Sequence, residues 1–312
     1  MSTVTYRKAE ENDFPRIAGL LRTSVDDLLK KYGFIETSPF ASQRLPPIPE
    51  RGFPWFEMGL KEDPDGFWVA EVDGELAGVT LAWVRGSLWY LAHLFVSPEH
   101  QGLDIGTSLL AKALRHHKTE PITNRALVTF AYNPVSISLY ARHGMYARDP
   151  LYLMECPKDQ VELEKKDEKM KHEQLTESHA KPRTLSRIDE QCVGYPRQRN
   201  HEYLVGLPNV ECHLFSAGGG PVGYAYVWKN GRIGPLAAVS HRIFKDMVKI
   251  SLSIAVQQES PTVGMLVTGS NETLMQIALD QKMRIMDNYL FMSAKRFANF
   301  SNYILYHTGA ML

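Results

Sequence analysis

One segment of the sequence passes from a strand through a glycine-containing turn directly into a helix, and this order of elements restricts the folds open to the chain. The strand ends at Val96, because Pro98 lacks the N–H that would continue a strand ladder. The turn carries Gln101, Gly102 and Gly106, and an amphipathic helix follows it. Successive N–H groups in such a turn form an anion site, which the positive end of the helix dipole reinforces. By itself the pattern is weak evidence, since a purely structural turn has the same residues.

The surrounding elements argue against two common phosphate-binding folds. No Gly-Lys-Ser/Thr follows the turn, which speaks against a P-loop NTPase. Asp73-Gly74 and Arg85-Gly86-Ser87 predict two tight hairpins, so an antiparallel meander precedes the turn rather than a Rossmann βαβ unit. A strand over 126–131, a helix over 134–143 and a strand over 151–154 follow. The expected fold class is mixed α/β, with a largely antiparallel central sheet flanked by helices.

The length and the charge pattern predict two domains. At 312 residues the chain is about twice a typical domain of ~150 residues. The composition shifts over residues 157–183, where the run KDQVELEKKDEKMKHEQ is nearly all charged or polar with both signs mixed, as in a solvated helix or a flexible linker. The second half then repeats the order of the first at lower intensity. We expect domains at 1–156 and 184–312, joined by the charged linker 157–183.

Composition limits the partners of the chain. Thirty-five Lys and Arg balance thirty-five Asp and Glu, so the chain lacks the cationic surplus that binds nucleic acid or a membrane surface. No stretch reaches the ~18 to 20 apolar residues of a membrane-spanning helix, and the polar N-terminus lacks a signal-peptide core. Cys156, Cys192 and Cys212 suit neither a disulfide framework nor a zinc signature. We expect a cytoplasmic globular protein without a metal ion.

Two motifs resemble the signatures of one enzyme family. Residues 94–106, LFVSPEHQGLDIG, are similar to the acyl-CoA signature of the GNAT N-acyltransferases, Gln/Arg-x-x-Gly-x-Gly/Ala after a strand that ends in Val-x-Pro. Residues 133–145, NPVSISLYARHGM, are similar to the family's Asn-x-x-(Ala/Ser)-x-x-Leu-Tyr-x-x-x-Gly-Phe helix. The two motifs stand in the family's order on the required elements. The resemblance spans residues 3–154, and the second half resembles the C-terminal half of tandem GNAT proteins.

The resemblance implies two GNAT-like domains and a site in the first for acetyl-CoA, or another acyl-CoA, as co-substrate. The strand that ends at Val96 would splay from its neighbour and offer its main chain to the pantetheine amides. The turn would cradle the pyrophosphate, and Asn133 would lie near the pantetheine arm. The implied cofactor-binding residues are Leu94, Phe95, Val96, Gln101, Gly102, Leu103, Asp104, Ile105, Gly106, Thr107 and Asn133.

The resemblance also implies direct transfer of the acyl group to an amine. Tyr140 would protonate the departing thiolate as general acid, and a backbone N–H near Val96 would polarise the thioester carbonyl. His93, Glu71 or a chain of water molecules could accept the proton of the amine. His93 is out of phase with Val96 along the strand, so it can face the acceptor side. The structural alternatives are a core tyrosine for Tyr140 and a core or surface histidine for His93.

Asp104 departs from the family, which usually has glycine at this position. Its carboxylate would lie in or beside a pocket for pyrophosphate and repel it. Aspartate tolerates unusual backbone angles, so the turn can survive, and the side chain could instead face solvent or cap the helix. We expect acyl-CoA binding to be weaker than with glycine.

The second half keeps the framework of the first and loses its chemistry. No Gln-x-x-Gly-x-Gly turn follows the strand GRIGPLAAV. Asn271 matches Asn133, but Leu279 falls near the position that Tyr140 predicts. Gly218-Gly219-Gly220 is expected to be a hairpin loop between two strands. We interpret this half as a degenerate copy that shapes the substrate site or the assembly.

Three functions fit these features. The leading hypothesis is an N-acetyltransferase that acts on a primary amine of a small molecule, as a monomer or a homodimer. The alternatives are a non-catalytic acyl-CoA-binding or regulatory protein and a protein N-acetyltransferase. Phe53, Trp55 and Phe56 could line the entry of the acceptor or belong to the core. His116-His117 is interpreted as the cap of a helix end.

Overall fold

The computed structural model describes residues 3–32, 54–163, 170–296 and 300–306. The chain divides into two compact units, of which the first comprises Met1–Leu127 with Tyr132–His143 and the second Val128–Ala131 with Gly144–Leu312. Phe53 and most of the proline-rich segment around it lie outside the described residues.

The sheet of the first unit is the expected meander followed by a parallel strand. Its strands are hydrogen-bonded in the order β1-β2-β3-β4-β5. The first three pairs are antiparallel, and β4 pairs with β5 in parallel. The strands are β1 (Val4–Lys8), β2 (Phe67–Val72), β3 (Glu75–Arg85), β4 (Leu88–Val96) and the start of β5 (Asn124–Phe130), and the helices are α1 (Phe14–Lys31), α2 (Pro54–Glu62), α3 (Ile105–Ala113) and α4 (Pro134–Arg142).

Helix α3 packs on one face of this sheet. Ile105 and Leu109 are buried in a cluster with apolar side chains of β2 and β3, and Leu94 and Val96 of β4 pack against it. Gly78 permits the close approach, because a Cβ at this position would lie 2.9 Å from Cδ1 of Leu109 and 3.0 Å from Cγ2 of Ile105. The contact fixes the start of α3 beside the end of β4.

Aromatic side chains fill the opposite face, beneath α1 and α2. The ring of Phe56 lies 5.6 Å from that of Phe14 and 6.1 Å from that of Phe67, measured between centroids. Phe56 is buried, and the half-buried Trp55 stacks on Trp83 with centroids 6.1 Å apart. Of the two interpretations of these aromatic residues, the core position is the one found for Phe56.

His116 is not the helix cap that the sequence suggested. It is buried, and its Nε2 donates to Oδ1 of Asp63 at 3.0 Å, while Arg85 and Lys118 bind the same carboxylate at 2.7 and 3.1 Å. Burial raises the pKa of Asp63, but the hydrogen bond from His116 and the two positive charges outweigh it and hold the pKa well below its ordinary value. The sequence could not reveal this contact, because Asp63 precedes His116 by 53 residues.

The second unit repeats the meander and its parallel strand. Its strands are ordered β12-β6-β11-β10-β9-β8-β7, with β13 paired to β10. Only the β10–β11 pair is parallel among the pairs described in this unit. Gly218 and Gly219 turn the β8–β9 hairpin with φ of 61° and 88°, as expected. The strands are the end of β5, β6 (Tyr146–Pro157), β7 (Lys171–Leu175), β8 (Val210–Ala217), β9 (Gly220–Trp228), β10 (Arg232–Ala238), β11 (Thr262–Thr268), β12 (Arg284–Ser293) and β13 (Tyr303–Ile304), and the helices are α5 (Pro182–Val193), α6 (Gln198–Val205), α7 (His241–Ala255) and α8 (Glu272–Asp280).

Strand β6 belongs to the second unit, although its position in the sequence suggested the first. It pairs with β11 over residues 151–157 and with β12 over residues 146–155, both antiparallel. Both partners lie more than 100 residues further along the chain, so the local sequence carries no sign of the pairing. The units divide at residues 143 and 144, with residues 128–131 also in the second unit, and the charged run at 157–183 contains β7.

A buried polar network holds α5 and α6 against β9 in the second unit. Asp189 of α5 receives Nη2 of Arg197 at 2.7 Å and Nε2 of His201 at 2.6 Å, and the Tyr224 hydroxyl donates to the same carboxylate. Nη2 of Arg197 also lies 2.7 Å from the Tyr224 hydroxyl, and Nδ1 of His201 lies 2.8 Å from that of Tyr226. Each carboxylate oxygen of Asp189 thus has at least two partners, as a buried charge requires.

Candidate functional site

Strand β4 carries an edge that its neighbour β5 does not use. The parallel register between the two strands ends with Leu91 opposite Leu127, and no pairing of residues 92–96 with β5 occurs in the described part of the chain. On its other side β4 stays paired with β3 as far as Val96, with a one-residue bulge at Ala92. Main-chain groups of the last residues of β4 therefore face away from β3 without a β5 partner. This is the arrangement that the resemblance implies for pantetheine.

The end of β4 is held by a side chain that the sequence analysis missed. The carbonyl oxygen of Val96 accepts from Oγ of Ser24 in α1 at 3.3 Å and from Nε2 of Gln101 in the turn at 3.4 Å. Ser24 precedes Val96 by 72 residues, so no motif links the two. Together these contacts bring α1, the end of β4 and the turn to one place.

Asp104 occupies a backbone position that suits glycine. It precedes α3 with φ 55° and ψ 15°, which is the left-handed region. Glycine adopts this region without steric cost, and aspartate adopts it more readily than most residues do. Its carboxylate makes no capping hydrogen bond to the described residues of the helix, and the side chain is exposed. Of the two alternatives considered for this side chain, the solvent-facing one is found and the helix cap is not.

The first turn of α3 leaves its N–H groups accessible. A Cβ added to Gly106 would meet only Cγ2 of Val96, at 3.6 Å, and Thr107 is exposed, as are Gln101 to Leu103. Gly102 has φ 85°, which again requires the left-handed region. Ile105 differs from the other residues expected here, because its side chain is buried in the core and only its main chain can reach a ligand. A helix start has free N–H donors, so this turn can receive a phosphate group.

Asn133 has a structural role that the sequence analysis overlooked. It is the N-cap of α4, and its Oδ1 accepts from the backbone N–H of Ser136 at 3.2 Å. The Asn-Pro start of the helix signals such a cap, since proline suits the first helical position. The rings of Tyr132 and Tyr32 lie 5.8 Å apart, which attaches the start of α4 to the end of α1.

Tyr140 lies in the last turn of α4 and is almost fully buried. Burial raises the pKa of its hydroxyl above the ordinary value, and a hydrogen bond with Ser136 offsets part of this effect. The hydroxyl is therefore protonated at neutral pH and can act as a donor. This protonation state is the one required of a general acid.

Neither residue considered as the general base is well placed for that role. His93 faces away from α3, among the rings of Phe56 and Phe95 at 5.7 and 6.2 Å, and burial lowers its pKa to about 4. It is neutral at pH 7 but a weak base. Glu71 binds Nη2 of Arg7 at 2.8 Å and lies 3.7 Å from Nη1 of Arg16. These surroundings favour water over either side chain as the proton acceptor.

In the second unit, the strand edge that corresponds to the open edge of β4 is occupied by another strand of the same unit. β10 pairs with β11 only near its start, and Leu236 and Ala237 pair instead with Ile304 and Tyr303 of β13. A further bridge joins Leu266 of β11 to the chain just after β13. The inserted residues are fully buried. Main-chain groups that would be available for a ligand in β10 are thus used by the protein itself.

Two other features of the second unit agree with a degenerate copy. Asn271 caps α8 as Asn133 caps α4, accepting from the N–H of Leu274 at 3.0 Å. Its Nδ2, however, donates to the carbonyl oxygen of Phe300 at 2.7 Å. Leu279, near the position expected for a second Tyr140, is 53% exposed and has no hydroxyl to donate.

Neither a three-residue metal cluster nor a membrane-spanning helix occurs in the described ranges. No three His, Cys, Asp or Glu side chains come together there as a metal-binding group. None of the helices in those ranges is both long and apolar enough to cross a bilayer. Cys156, Cys192 and Cys212 are free thiols in buried positions.

The sequence around the candidate site matches a model of a known protein family. The sequence model described as the acetyltransferase (GNAT) family matches residues 26–145, which include the open edge of β4, the turn and α4. Over these residues the chain is similar to the GNAT acetyltransferase family.

Individual relatives agree with this family match over part of the chain. A stretch of 108 residues is 34% identical to the mycothiol acetyltransferase of Streptomyces bingchenggensis and covers 33% of each chain. The match spans about a third of the length of the mycothiol acetyltransferases.

Solved structures extend the likeness in fold to both units. A putative acetyltransferase from Pyrococcus horikoshii matches 99% of this chain and 92% of its own, with a TM-score of 0.67 and 16% identity. A tandem GNAT protein from the clavulanic acid biosynthesis pathway matches 95% of this chain and 99% of its own, with a TM-score of 0.59 and 13% identity. The expected architecture of two GNAT-like domains is confirmed.

Proposed function

We propose that this chain is an acetyl-CoA-dependent N-acetyltransferase that uses its first unit to acetylate a primary amine of a small molecule. The observation that carries the proposal is the open edge of β4 next to the accessible start of α3. An extended amide chain pairs with an open strand edge, and a pyrophosphate pairs with free helix N–H groups. The family match and the relatives named acetyltransferase support the reaction class.

The residues that would hold acyl-CoA act mainly through the main chain. Leu94, Phe95 and Val96 form the strand edge proposed for the pantetheine amides, and Val96 contributes its N–H because its carbonyl already accepts from Ser24 and Gln101. The turn from Gln101 to Thr107 offers N–H groups to the pyrophosphate. Ser24 acts as a positioning residue, because its hydroxyl fixes the carbonyl of Val96. Asn133 orients the start of α4 and so the helix that carries the acid.

In the proposed reaction the amine nitrogen attacks the thioester carbonyl, a C–N bond forms and the C–S bond breaks. The Tyr140 hydroxyl gives its proton to the departing thiolate. The acetylated nitrogen loses its extra proton to water, since His93 is a weak base and Glu71 is engaged by two arginines. A free N–H at the end of β4 polarises the carbonyl.

Replacing Asp104 by glycine is expected to strengthen acetyl-CoA binding without harming the fold. Glycine is relaxed at φ 55°, and its introduction removes a negative charge next to the proposed pyrophosphate position. One charge pair at about 4 Å in water corresponds to about 1 kcal/mol, or about a fivefold change in Kd. Calorimetric titration of acetyl-CoA measures this change, and Asp104→Asn separates charge from backbone freedom. If neither variant binds more tightly, the carboxylate lies outside the binding site.

The second unit is proposed to have no acyl-CoA site of its own. β13 uses the edge of β10 that would correspond to the open edge of β4, and Leu279 cannot act as an acid. We therefore propose a role for this unit in shaping the acceptor site or the assembly. Three buried, free cysteines fit a reducing compartment, which supports a cytoplasmic location.

Turnover with a panel of amines tests the proposed function directly. The full chain is incubated with acetyl-CoA and small primary amines, or with peptides bearing a free N-terminus or lysine, and release of free CoA thiol is followed. We expect thiol release that depends on at least one small amine, with one acetyl-CoA bound per chain by calorimetry. Turnover only with peptides would establish the protein N-acetyltransferase alternative, and binding without turnover the non-catalytic one. Absence of binding would refute all three.

A further inference from the structure

Two histidines meet on one face of the β7–β8 pair, away from the residues proposed for acyl transfer. Nδ1 of His172 in β7 lies 3.4 Å from Nδ1 of His213 in β8. His172 is directly opposite Phe215, so residues 213 and 215 share its face of the sheet. The His172 ring stacks on that of Phe215 with centroids 5.5 Å apart. The exposed histidine is therefore held in one orientation by a buried ring.

A carboxylate fixes the tautomer of the inner histidine. Nε2 of His213 lies 3.1 Å from Oε2 of Glu211, and Oε1 of Glu211 accepts from Nε2 of Gln258 at 3.1 Å. A carboxylate only accepts hydrogen bonds, so Nε2 of His213 carries the proton and Nδ1 presents a lone pair. Without a metal ion, Nδ1 of His172 lies within hydrogen-bond distance of this nitrogen, at 3.4 Å.

We propose that His172 and His213 bind a divalent transition-metal ion between their Nδ1 atoms. Two imidazole nitrogens at 2.0–2.1 Å from a tetrahedral Zn²⁺ are separated by roughly 3.3 to 3.4 Å, which is the separation found here. A ligating histidine characteristically gives its other N–H to a carboxylate, as His213 does to Glu211. The pair thus has both the spacing of two metal ligands and the outer support that such ligands have.

The chemistry of the donors determines which ions fit. Imidazole nitrogen suits Zn²⁺, Ni²⁺ and Cu²⁺, whereas Mg²⁺ and Ca²⁺ require oxygen ligands. Two protein ligands leave the remaining coordination positions to water, so the ion exchanges freely. Nitrogen ligands bind Cu²⁺ more tightly than Zn²⁺, and we expect the same order here. Because His172 lies in the edge strand β7 and His213 lies in the neighbouring strand β8, a bound ion would link β7 to the rest of its sheet.

Metal titration of the tag-free full chain tests the proposal. We expect one Zn²⁺ per chain by calorimetry, tighter binding of Cu²⁺, no binding of Mg²⁺, and slower amide hydrogen exchange over residues 171–175 when Zn²⁺ is present. His172→Asn, at an exposed position that should not affect folding, is expected to weaken Zn²⁺ binding at least tenfold. Glu211→Gln keeps the shape of the outer partner and removes its charge, with an expected loss of about 10- to 100-fold.

A matched histidine nearby supplies the control. His179 is exposed. Within the described residues, the hydrogen bonds of its Nδ1 go to nearby side chains, Oγ of Ser178 at 2.9 Å and Oγ1 of Thr176 at 3.3 Å. His179→Asn is expected to leave Zn²⁺ affinity and the exchange of residues 171–175 unchanged. Either of two results would overturn the proposal. The first is Zn²⁺ affinity that His172→Asn leaves unchanged, and the second is binding of one Zn²⁺ per chain without slower amide hydrogen exchange over residues 171–175.

Discussion

Replacing Tyr140 by phenylalanine is expected to lower kcat for acetyl transfer by about 10²- to 10⁴-fold, the usual contribution of a general acid. The thiolate must then leave without a proton from the enzyme. The KM for acetyl-CoA should stay unchanged, because the proposed contacts to the cofactor come from the end of β4 and from the turn. Steady-state kinetics with the amine identified by the panel measures both parameters. Since burial raises the pKa of Tyr140, we also expect no loss of activity from its ionisation near neutral pH.

A second tyrosine provides the control for this substitution. The half-buried Tyr6 belongs to the same unit, and its ring contacts Lys112 with Nζ 5.1 Å from the centroid. Tyr6→Phe removes a hydroxyl that has no role in the proposed chemistry, so its kcat should match that of the unmodified chain. Equal kcat for Tyr140→Phe and Tyr6→Phe would assign Tyr140 to the core and remove it from the reaction.

Replacing Asp189 by asparagine is expected to have the largest effect on stability, a loss of about 3 to 5 kcal/mol in the free energy of unfolding. The substitution keeps the shape of the side chain but leaves Arg197 charged and fully buried without its counter-charge. Urea denaturation followed by circular dichroism, with hydrogen exchange over residues 182–205, measures the loss. Asp159→Asn, at an exposed position of the same unit, should change stability by less than about 0.5 kcal/mol.

The stability lost on Asp189→Asn, relative to the unmodified chain, should depend on pH in a defined direction. Burial raises the pKa of Asp189 in the folded chain, but the positive charge of Arg197 and the hydrogen bonds from Arg197 and His201 outweigh it, so the pKa is lowered overall. A carboxyl whose pKa is lowered by folding contributes stability above its unfolded pKa of about 3.9 and loses it as the pH falls further. The effect of Asp189→Asn should thus be constant near neutral pH and shrink below about pH 4. A loss under 1 kcal/mol at pH 7 would mean that Arg197 finds another counter-charge.

The parts of the fold that depend on neighbouring residues were predictable. Asp73-Gly74 and Arg85-Gly86-Ser87 fix the meander of the first unit, because each turn pairs the two strands beside it. The change from strand to turn to helix after Val96 is equally local. The glycine-like conformation of Asp104 follows from the motif too, since the family has glycine at that position.

The parts that the sequence could not reveal are contacts across long separations. Ser24 reaches Val96 over 72 residues, and Asp63 meets His116 over 53. Such pairs have no periodicity and no turn between them, so only the folded chain brings them together. The bulge at Ala92 is similar, because it depends on how β3 and β4 share a register and not on the residue itself.

The pairing of β6 with β11 and β12 limits where the chain can be truncated. A fragment that ends near residue 160, as the charge run would suggest, keeps β6 but loses β11 and β12, which pair with its two edges. Leu151, Leu153 and Met154 are buried in the whole chain and would then lie on a strand with two open edges. Such strands template association between molecules, so this fragment would precipitate or form aggregates.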